Sequence, residues 1–407
     1  MTDPIHDPYS IRTADAGLLA RALDDARAHT LGLFAATRSA LGDQLEVRYG
    51  AEINPPLWEL GHVGWFEAFW IGRNSERLRG AAARLEAPRA APWLARADAL
   101  YDSSRVAHAR RWHLDLPDAT RTLAHLAQVR ERTLSLLRAS AADDAALYFF
   151  RLVLMHEAMH AEAAAMIAQT LALDVSAALP AAGPTASAAS GELSLPAAAI
   201  TVGTHEGGFG FDNELGAHRI ELSPFTIDRA PVTWGAFLPF IEAGGYDDPE
   251  AWTRDGWAWR LRELPIGLPR HLARAEDGTL RRAAFGRWLD VDPLEPALHL
   301  SGHEARAWCA WAGRRLPTEH EWTHAALHAG EDFAWGDVWE WTASPFEAWP
   351  GFTPHPYRDY SQPWFDGRPV LKGGSFATPA RMKHPRYRNF FPAERNDVFA
   401  GFRSCAR

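Results

Sequence analysis

The chain is 407 residues long, 47% hydrophobic and 23% charged, with a formal net charge of −9; this is the composition of a soluble globular protein with room for two or three domains, and it excludes a disordered class. The negative balance argues against a nucleic-acid binder, in which a basic patch would dominate, and no apolar run approaches the roughly 18 residues needed to span a bilayer. Cys309 and Cys405 are the two cysteines, too few for a disulfide framework and suited to a reducing cytosol as small buried residues. The segment Met1-Thr2-Asp3-Pro4-Ile5-His6-Asp7 has neither the basic region nor the apolar core of a signal peptide, so a cytoplasmic location is expected.

Between residues 11 and 174 apolar positions recur three and four apart, as in Leu18 to Leu23 and Leu123 to Val129, which is the helical period. Four long helices are predicted near residues 15–41, 56–73, 118–140 and 144–172, forming an up-and-down bundle. The second begins after Asn54-Pro55-Pro56, proline being tolerated in a first turn, and this places His62 within two turns of its start.

The fourth carries His156-Glu157-Ala158-Met159-His160-Ala161-Glu162. Histidines at i and i+4 share a helix face, and both rings can reach one transition metal at about 2.0–2.2 Å. Standing alone, such a pair reads more readily as two hydrogen-bonded helix histidines. His156 to His160 also matches the HExxH pattern of zinc proteases, but the next dozen residues offer no third ligand. Glu162 lies well off the histidine face at about 100° per residue, and is expected only to accept a hydrogen bond from an imidazole or a partner helix. His62 is the candidate third imidazole, since facing histidines on separate helices build metal sites in bundle cores.

Residues 175–199 are rich in Ala, Ser, Pro and Gly and read as a linker. Over 200–407 the pattern changes to short β-prone runs, turn glycines, many aromatics and two or three helices, notably Thr233–Ala243 and Gly302–Ala312. That is a loop-rich α+β domain, and long structured loops usually serve a site. Most of the 18 tryptophans and 20 phenylalanines belong to cores, yet a few suffice for an aromatic box that binds a quaternary ammonium group.

At this point several motifs coincide: Asp212-Asn213-Glu214, Arg229-Ala230-Pro231-Val232-Thr233, Arg315-Leu316-Pro317-Thr318-Glu319-His320-Glu321-Trp322, Val338-Trp339-Glu340-Trp341-Thr342, Gly373-Gly374-Ser375-Phe376 and Gly401-Phe402-Arg403. Through them the second domain resembles the formylglycine-generating-enzyme (sulfatase-modifying factor, C-type-lectin-like) fold, and the first looks like a DinB-type four-helix bundle. Their fusion is similar to the ergothioneine-type sulfoxide synthases and to their selenium relatives, the selenoneine synthases.

The resemblance implies a mononuclear non-haem Fe(II) on His62, His156 and His160, with O2 as co-substrate and hercynine, the trimethyl betaine of histidine, as substrate. Three facial ligands leave positions open for O2 and a soft chalcogen donor. It further implies that Tyr357, in Tyr357-Arg358-Asp359-Tyr360-Ser361, is the catalytic proton donor, with Tyr360 in support. Asn389 would bind polar groups of hercynine, and Phe390 would face its trimethylammonium.

Four positions bear on the donor. In the γ-glutamylcysteine-using branch an Asp follows the Asn-aromatic pair, where Phe391 stands here; a Gln precedes the second helix histidine, where Met159 stands; and an Arg follows the Tyr-Asp segment, where His108 stands with Arg111 three further on. Arg395 matches a family Arg. Fewer charges suit a neutral 1-selenosugar better than a zwitterionic dipeptide, whose charges would be left unpaired. The segments Asn54 to His62 and Tyr101 to His108 also resemble the selenoneine branch, and this resemblance implies C–Se bond formation, with a γ-glutamylcysteine- or cysteine-using C–S synthase as the alternative. A formylglycine-generating oxidase would need a reactive cysteine pair, and a non-enzymatic reading would make the chain a ligand-displaying module without iron.

Overall fold

The computed structural model describes residues 3–181, 183–187, 189–204 and 207–407. The helical half comprises α1 (Ala16–Leu41), α2 (Pro56–Glu67), a short α3 (Ala97–Tyr101), α4 (Ala119–Arg138) and α5 (Asp144–Thr170). Aspartates open three of them: Asp15, Asp118 and Asp143 accept the backbone N–H of Leu18, Arg121 and Ala146, each cap contributing about 1 kcal/mol. Helix α2 has no side-chain cap and begins instead with Pro56, at the position where a missing N–H costs least. Past Glu67 it loosens into a π-helical turn, Ala68–Gly72, so the helix expected near 56–73 is present in two parts.

Charge, as well as apolar packing, joins the bundle. Arg27 of α1 donates to Glu157 at 2.6 Å and to Glu67 at 2.7 Å, while Arg130 of α4 donates to Glu67 at 2.9 Å and to Glu157 at 2.6 Å. All four side chains are buried, and together they tie α1, α2, α4 and α5 in a neutral square. Glu157 is thereby occupied, which removes the base a zinc protease would take from this motif.

In the second half β1 (Glu192–Leu195) pairs with β4 (Phe225–Asp228), and β2 (Ala198–Val202) with β3 (His218–Leu222). Strands β5 (Leu272–Arg274), β6 (Leu280–Ala284) and β7 (Arg287–Asp290) form an antiparallel meander. The remaining sheet has the order β10 (Asn389–Phe390), β9 (Pro369–Lys372), β8 (Trp339–Pro345), β11 (Ala400–Gly401), with β8 and β11 parallel. Around these sheets lie α6 (Trp234–Glu242), α7 (Arg254–Glu263), α8 (Gly302–Trp311) and α9 (Glu319–His328). Two features depart from the sequence reading: β1 and the start of β2 fall inside the stretch taken as linker, and the described residues of this half hold four helices where two or three were expected.

The motifs that carry the family likeness make the frame of this domain. Arg403 and Glu340 form a fully buried ion pair, with Trp322 Nε1 donating to Glu340 at 2.8 Å. Arg388 is paired with Glu319 at 2.7 Å. Glu162 reaches from α5 into the second domain, where its Oε1 accepts from Trp339 Nε1 at 2.9 Å, Ser375 Oγ at 2.5 Å and Thr378 Oγ1 at 2.7 Å. Among the described residues its donors are a strand tryptophan and two loop hydroxyls, so neither of the partners expected for it, an imidazole or a partner helix, is the one it takes. Arg12 with Glu214 at 2.5 Å, Arg381 with Asp25, and Gln169 with the backbone of Ala283 and Phe285 add further ties between the halves. No helix among the described residues is long and apolar enough to cross a membrane.

Candidate metal centre

His62 of α2 and His156 and His160 of α5 converge in the bundle core, one ring nitrogen from each lying within 4.8 Å of the others. Their ring centroids are 4.4–5.1 Å apart. His62 and His156 are 2% exposed and His160 is half-buried.

Each ring is aimed by a neighbour. His62 Nδ1 donates to the carbonyl oxygen of Tyr101 at 2.7 Å, and the ring stacks on Trp58 with centroids 4.9 Å apart. The close approach of Tyr101 depends on Gly61, where a Cβ would stand 2.2 Å from the tyrosine ring. His160 Nδ1 donates to Glu59 Oε2 at 2.5 Å, and Asn54 Nδ2 occupies the other carboxylate oxygen at 2.5 Å. His156 stacks on Phe66 at 3.4 Å with the planes 2° apart.

With Nδ1 committed in His62 and His160, Nε2 of both is left with its lone pair. His156 Nε2 is buried with no hydrogen-bond partner among the described residues. A buried, unpartnered nitrogen costs about 1–3 kcal/mol unless something satisfies it, and a metal ion does so while Nδ1 partners orient the rings. Burial first, and then the neighbouring His160, lowers His62 to about 3 and His156 well below the ordinary imidazole range, so both are neutral donors. Burial alone would raise Glu59, but His160, His62 and Asn54 together hold it down to about 2. The set suits a divalent first-row transition ion.

Tyr357 approaches this centre from the second domain. Its ring meets Phe66 edge-on at 4.9 Å and lies 6.2 Å from the His156 ring. No hydrogen bond from its hydroxyl is formed among the described residues, and burial, then Asp359 and Asp102, pushes its pKa up; it is a protonated phenol at neutral pH. Tyr360 sits one layer behind, its hydroxyl bonded to Tyr387 at 3.2 Å and its ring stacked on Phe211 at 4.2 Å.

The other expected residues fall in three groups. Phe390 stacks on Phe346 at 3.9 Å and meets Tyr360 edge-on, while the Asn389 side chain accepts the Phe390 N–H at 2.9 Å. Phe391 lies beneath the Arg395 guanidinium at 5.0 Å, and Arg395 is paired with Asp397 at 2.5 Å. His108 Nε2 is held by the Ile53 carbonyl at 2.7 Å, Arg111 donates to Asn54 Oδ1 at 2.7 Å and stacks 4.0 Å over Trp58, and Met159 packs half-buried on the core. Sequence reasoning missed Glu59 and the Tyr101 carbonyl. The first was signalled by its place three residues before His62, on the same helix face; a backbone carbonyl carries no such signal.

The DinB superfamily matches residues 22–207, and the sulfatase-modifying factor enzyme 1-like domain matches 178–337 and 331–407. The chain is 32% identical to the hercynine oxygenase of Mycolicibacterium thermoresistibile, covering 95% of this chain and 94% of that protein. It is 32% identical to the hercynine oxygenase of Mycolicibacterium smegmatis over 88% of this chain and 92% of that one. Likeness to the formylglycine-generating enzyme of Streptomyces coelicolor, 33% identical, is confined to 36% of this chain and 51% of that protein. With both domains matched in order and relatives alike from end to end, this chain belongs to the hercynine oxygenase family of joined DinB and sulfatase-modifying-factor domains.

Proposed function

We propose that this protein is an Fe(II)- and O2-dependent oxygenase that joins a soft chalcogen donor to the imidazole ring of hercynine, in the manner of the ergothioneine-type sulfoxide synthases. The observation that carries the reading is the convergence of three imidazoles, each with one ring nitrogen near the others, the Nε2 of His156 being buried and without a hydrogen-bond partner among the described residues. Iron bound by the three would supply O2 activation and a seat for the donor.

The protein's own part is positioning and proton supply. Phe66, packed against both His156 and Tyr357, sets the phenol beside the metal-binding face, and the raised pKa keeps its proton available at neutral pH. Tyr360, fixed by Tyr387 and Phe211, is a positioning residue for that loop. Tyr357→Phe is expected to lower kcat by about 10²–10⁴-fold, the usual contribution of a general acid, without changing iron content; activity close to wild type would remove Tyr357 from the role. The formylglycine-generating reading is disfavoured by Cys309 and Cys405, both buried and pushed by burial up to about 12, far from the thiolate that chemistry needs.

For the donor, the likeness to hercynine oxygenases over 95% of the chain supports the sulfur reading, with γ-glutamylcysteine or cysteine, ahead of the selenosugar that the sequence suggested. One observation favours the selenosugar as a second reading. Arg395 is engaged by Asp397 and Arg111 by Asn54, so neither stands free to clamp a carboxylate.

The test is to load the protein with Fe(II), supply O2 and hercynine, and offer γ-glutamylcysteine and a 1-selenosugar in competition, reading adducts by mass spectrometry. A hercynyl-γ-glutamylcysteine sulfoxide is the expected product. A hercynyl selenosugar would establish the second reading, and no hercynine adduct with either donor would overturn both.

A further inference from the structure

The phenol of Tyr357 is placed by its backbone. Its hydroxyl bonds nothing among the described residues, and its neighbouring rings, Phe66 at 4.9 Å, Trp70 at 6.0 Å and Tyr360 at 6.1 Å, are edge-on or tilted. It lies in the long connection from β8 to β9, residues 346–368, whose regular structure is two short 3-10 turns, Arg358–Tyr360 and Gln362–Trp364. Such a connection wanders unless something holds it.

Asp212 holds it at both ends. One carboxylate oxygen accepts the His355 N–H at 3.3 Å and the other accepts the Ser361 hydroxyl, while Asn213 Nδ2 donates to the same Ser361 oxygen at 2.9 Å. The His355 ring then reaches across to the bundle, where the hydroxyl of Tyr148 donates to its Nδ1 at 2.9 Å. Burial lowers this imidazole to about 4, so it is neutral and can accept. Tyr148 stands on α5 about two turns before His156. The loop is thus tied to the helix that carries two of the three ligand candidates.

We infer that Asp212 is a positioning residue for Tyr357, closing the loop His355–Ser361 on itself so that the His355–Tyr148 bond sets the phenol against α5. The inference rests on the reading of Tyr357 as the proton donor. Its surroundings set Asp212 apart from the acidic residues of the domain frame. Glu214, Glu319 and Glu340 are each paired with an arginine, whereas Asp212, 3% exposed, has no cation at ion-pair distance among the described residues. A buried carboxylate without a counter-ion is costly unless hydrogen bonds satisfy it. Here those bonds come from the two ends of the Tyr357 segment, so the satisfied carboxylate and the closed loop are one arrangement.

The test compares variants of the full-length, Fe(II)-loaded protein. Asp212→Ala removes both acceptors and should lower kcat by up to about 10²-fold, the loss that a displacement of about 1 Å can bring, with iron content and KM for hercynine unchanged. Asp212→Asn should recover most of that loss, since its amide oxygen can take the His355 N–H while its NH2 donates to Ser361 Oγ; Ser361→Ala, which frees one end, should fall between. In a Tyr357→Phe background Asp212→Ala should cost little more, because residues acting as a unit are not additive. An equal fold-loss in both backgrounds would make Asp212 a frame residue and overturn the proposal. A second readout needs no turnover. Trypsin should cut after Arg358, whose side chain is 51% exposed, severalfold faster in Asp212→Ala than in wild type or Asp212→Asn, with thermal melting showing each variant folded. Unchanged cleavage there would also overturn the proposal, and should Asp212→Ala fail to fold, Ser361→Ala carries the same two comparisons. Faster cleavage in a protein whose wild type forms no hercynine adduct would support the closed loop and overturn only the reading of the reaction.

Discussion

His156→Ala is expected to abolish both iron retention and turnover while leaving the fold in place. The ring contributes a buried Nε2 with no partner among the described residues, so no hydrogen bond from that atom is lost, and the main structural cost is the void left against Phe66. His160→Ala should behave differently. It also loses the metal, but it leaves Glu59, 7% exposed, with Asn54 as its remaining side-chain partner, and an underpaired buried carboxylate costs several kcal/mol. Metal analysis and thermal melting of the two variants side by side check the pair of results. Stoichiometric iron with full activity in either would dismiss the three-histidine centre, and equal melting temperatures would dismiss the role given to Glu59.

The second large effect lies in the charged square of the bundle. Arg130→Met leaves Glu67 and Glu157 buried with Arg27 alone between them, a net negative charge in the core, and should destabilise the protein by about 3–5 kcal/mol, as breaking a buried pair does. Replacing all four residues with well-packed apolar ones should be far milder, because the desolvation of the ions is then removed along with their attraction. Burial by itself would raise Glu67, but Arg130 and Arg27 hold it at about 2. A carboxylate depressed in the folded state stabilises fully above its unfolded value near 4.5. This contribution is therefore lost as the pH falls toward about 2 and is untouched on the alkaline side. Urea midpoints of wild type, Arg130→Met and the fourfold variant, measured at neutral and acid pH, decide the matter; a wild-type-like midpoint in Arg130→Met would refute it.

The long helices of the bundle were plain in the sequence because apolar positions recur three and four apart along them, α2 being marked further by the prolines at its start, and the His156/His160 pair was plain because one helical turn separates them. Helices α7 and α9 were missed because they are short, polar on most sides and rich in Trp and His. Their starts were nevertheless written in the sequence, since Thr253 caps one and Thr318 with Glu321 forms a capping box at the other. Strand β1 was missed because its pairing with β4 depends on a partner some thirty residues away, which composition cannot report. Arg111 and Arg395 were named as candidate clamps from sequence. That each is engaged by a neighbour is a matter of tertiary contact, and only the structure bears on it.

Helix α5 carries two of the three ligand candidates and, two residues beyond the second, the carboxylate that locks into Trp339, Ser375 and Thr378. The two domains are therefore not interchangeable modules. A recombination event with its crossover in residues 175–199 would separate Glu162 from its donors and leave a buried carboxylate facing an unmatched surface. Chimeras between relatives are viable only when the acceptor on one side of the join and the three donors on the other are inherited as a set.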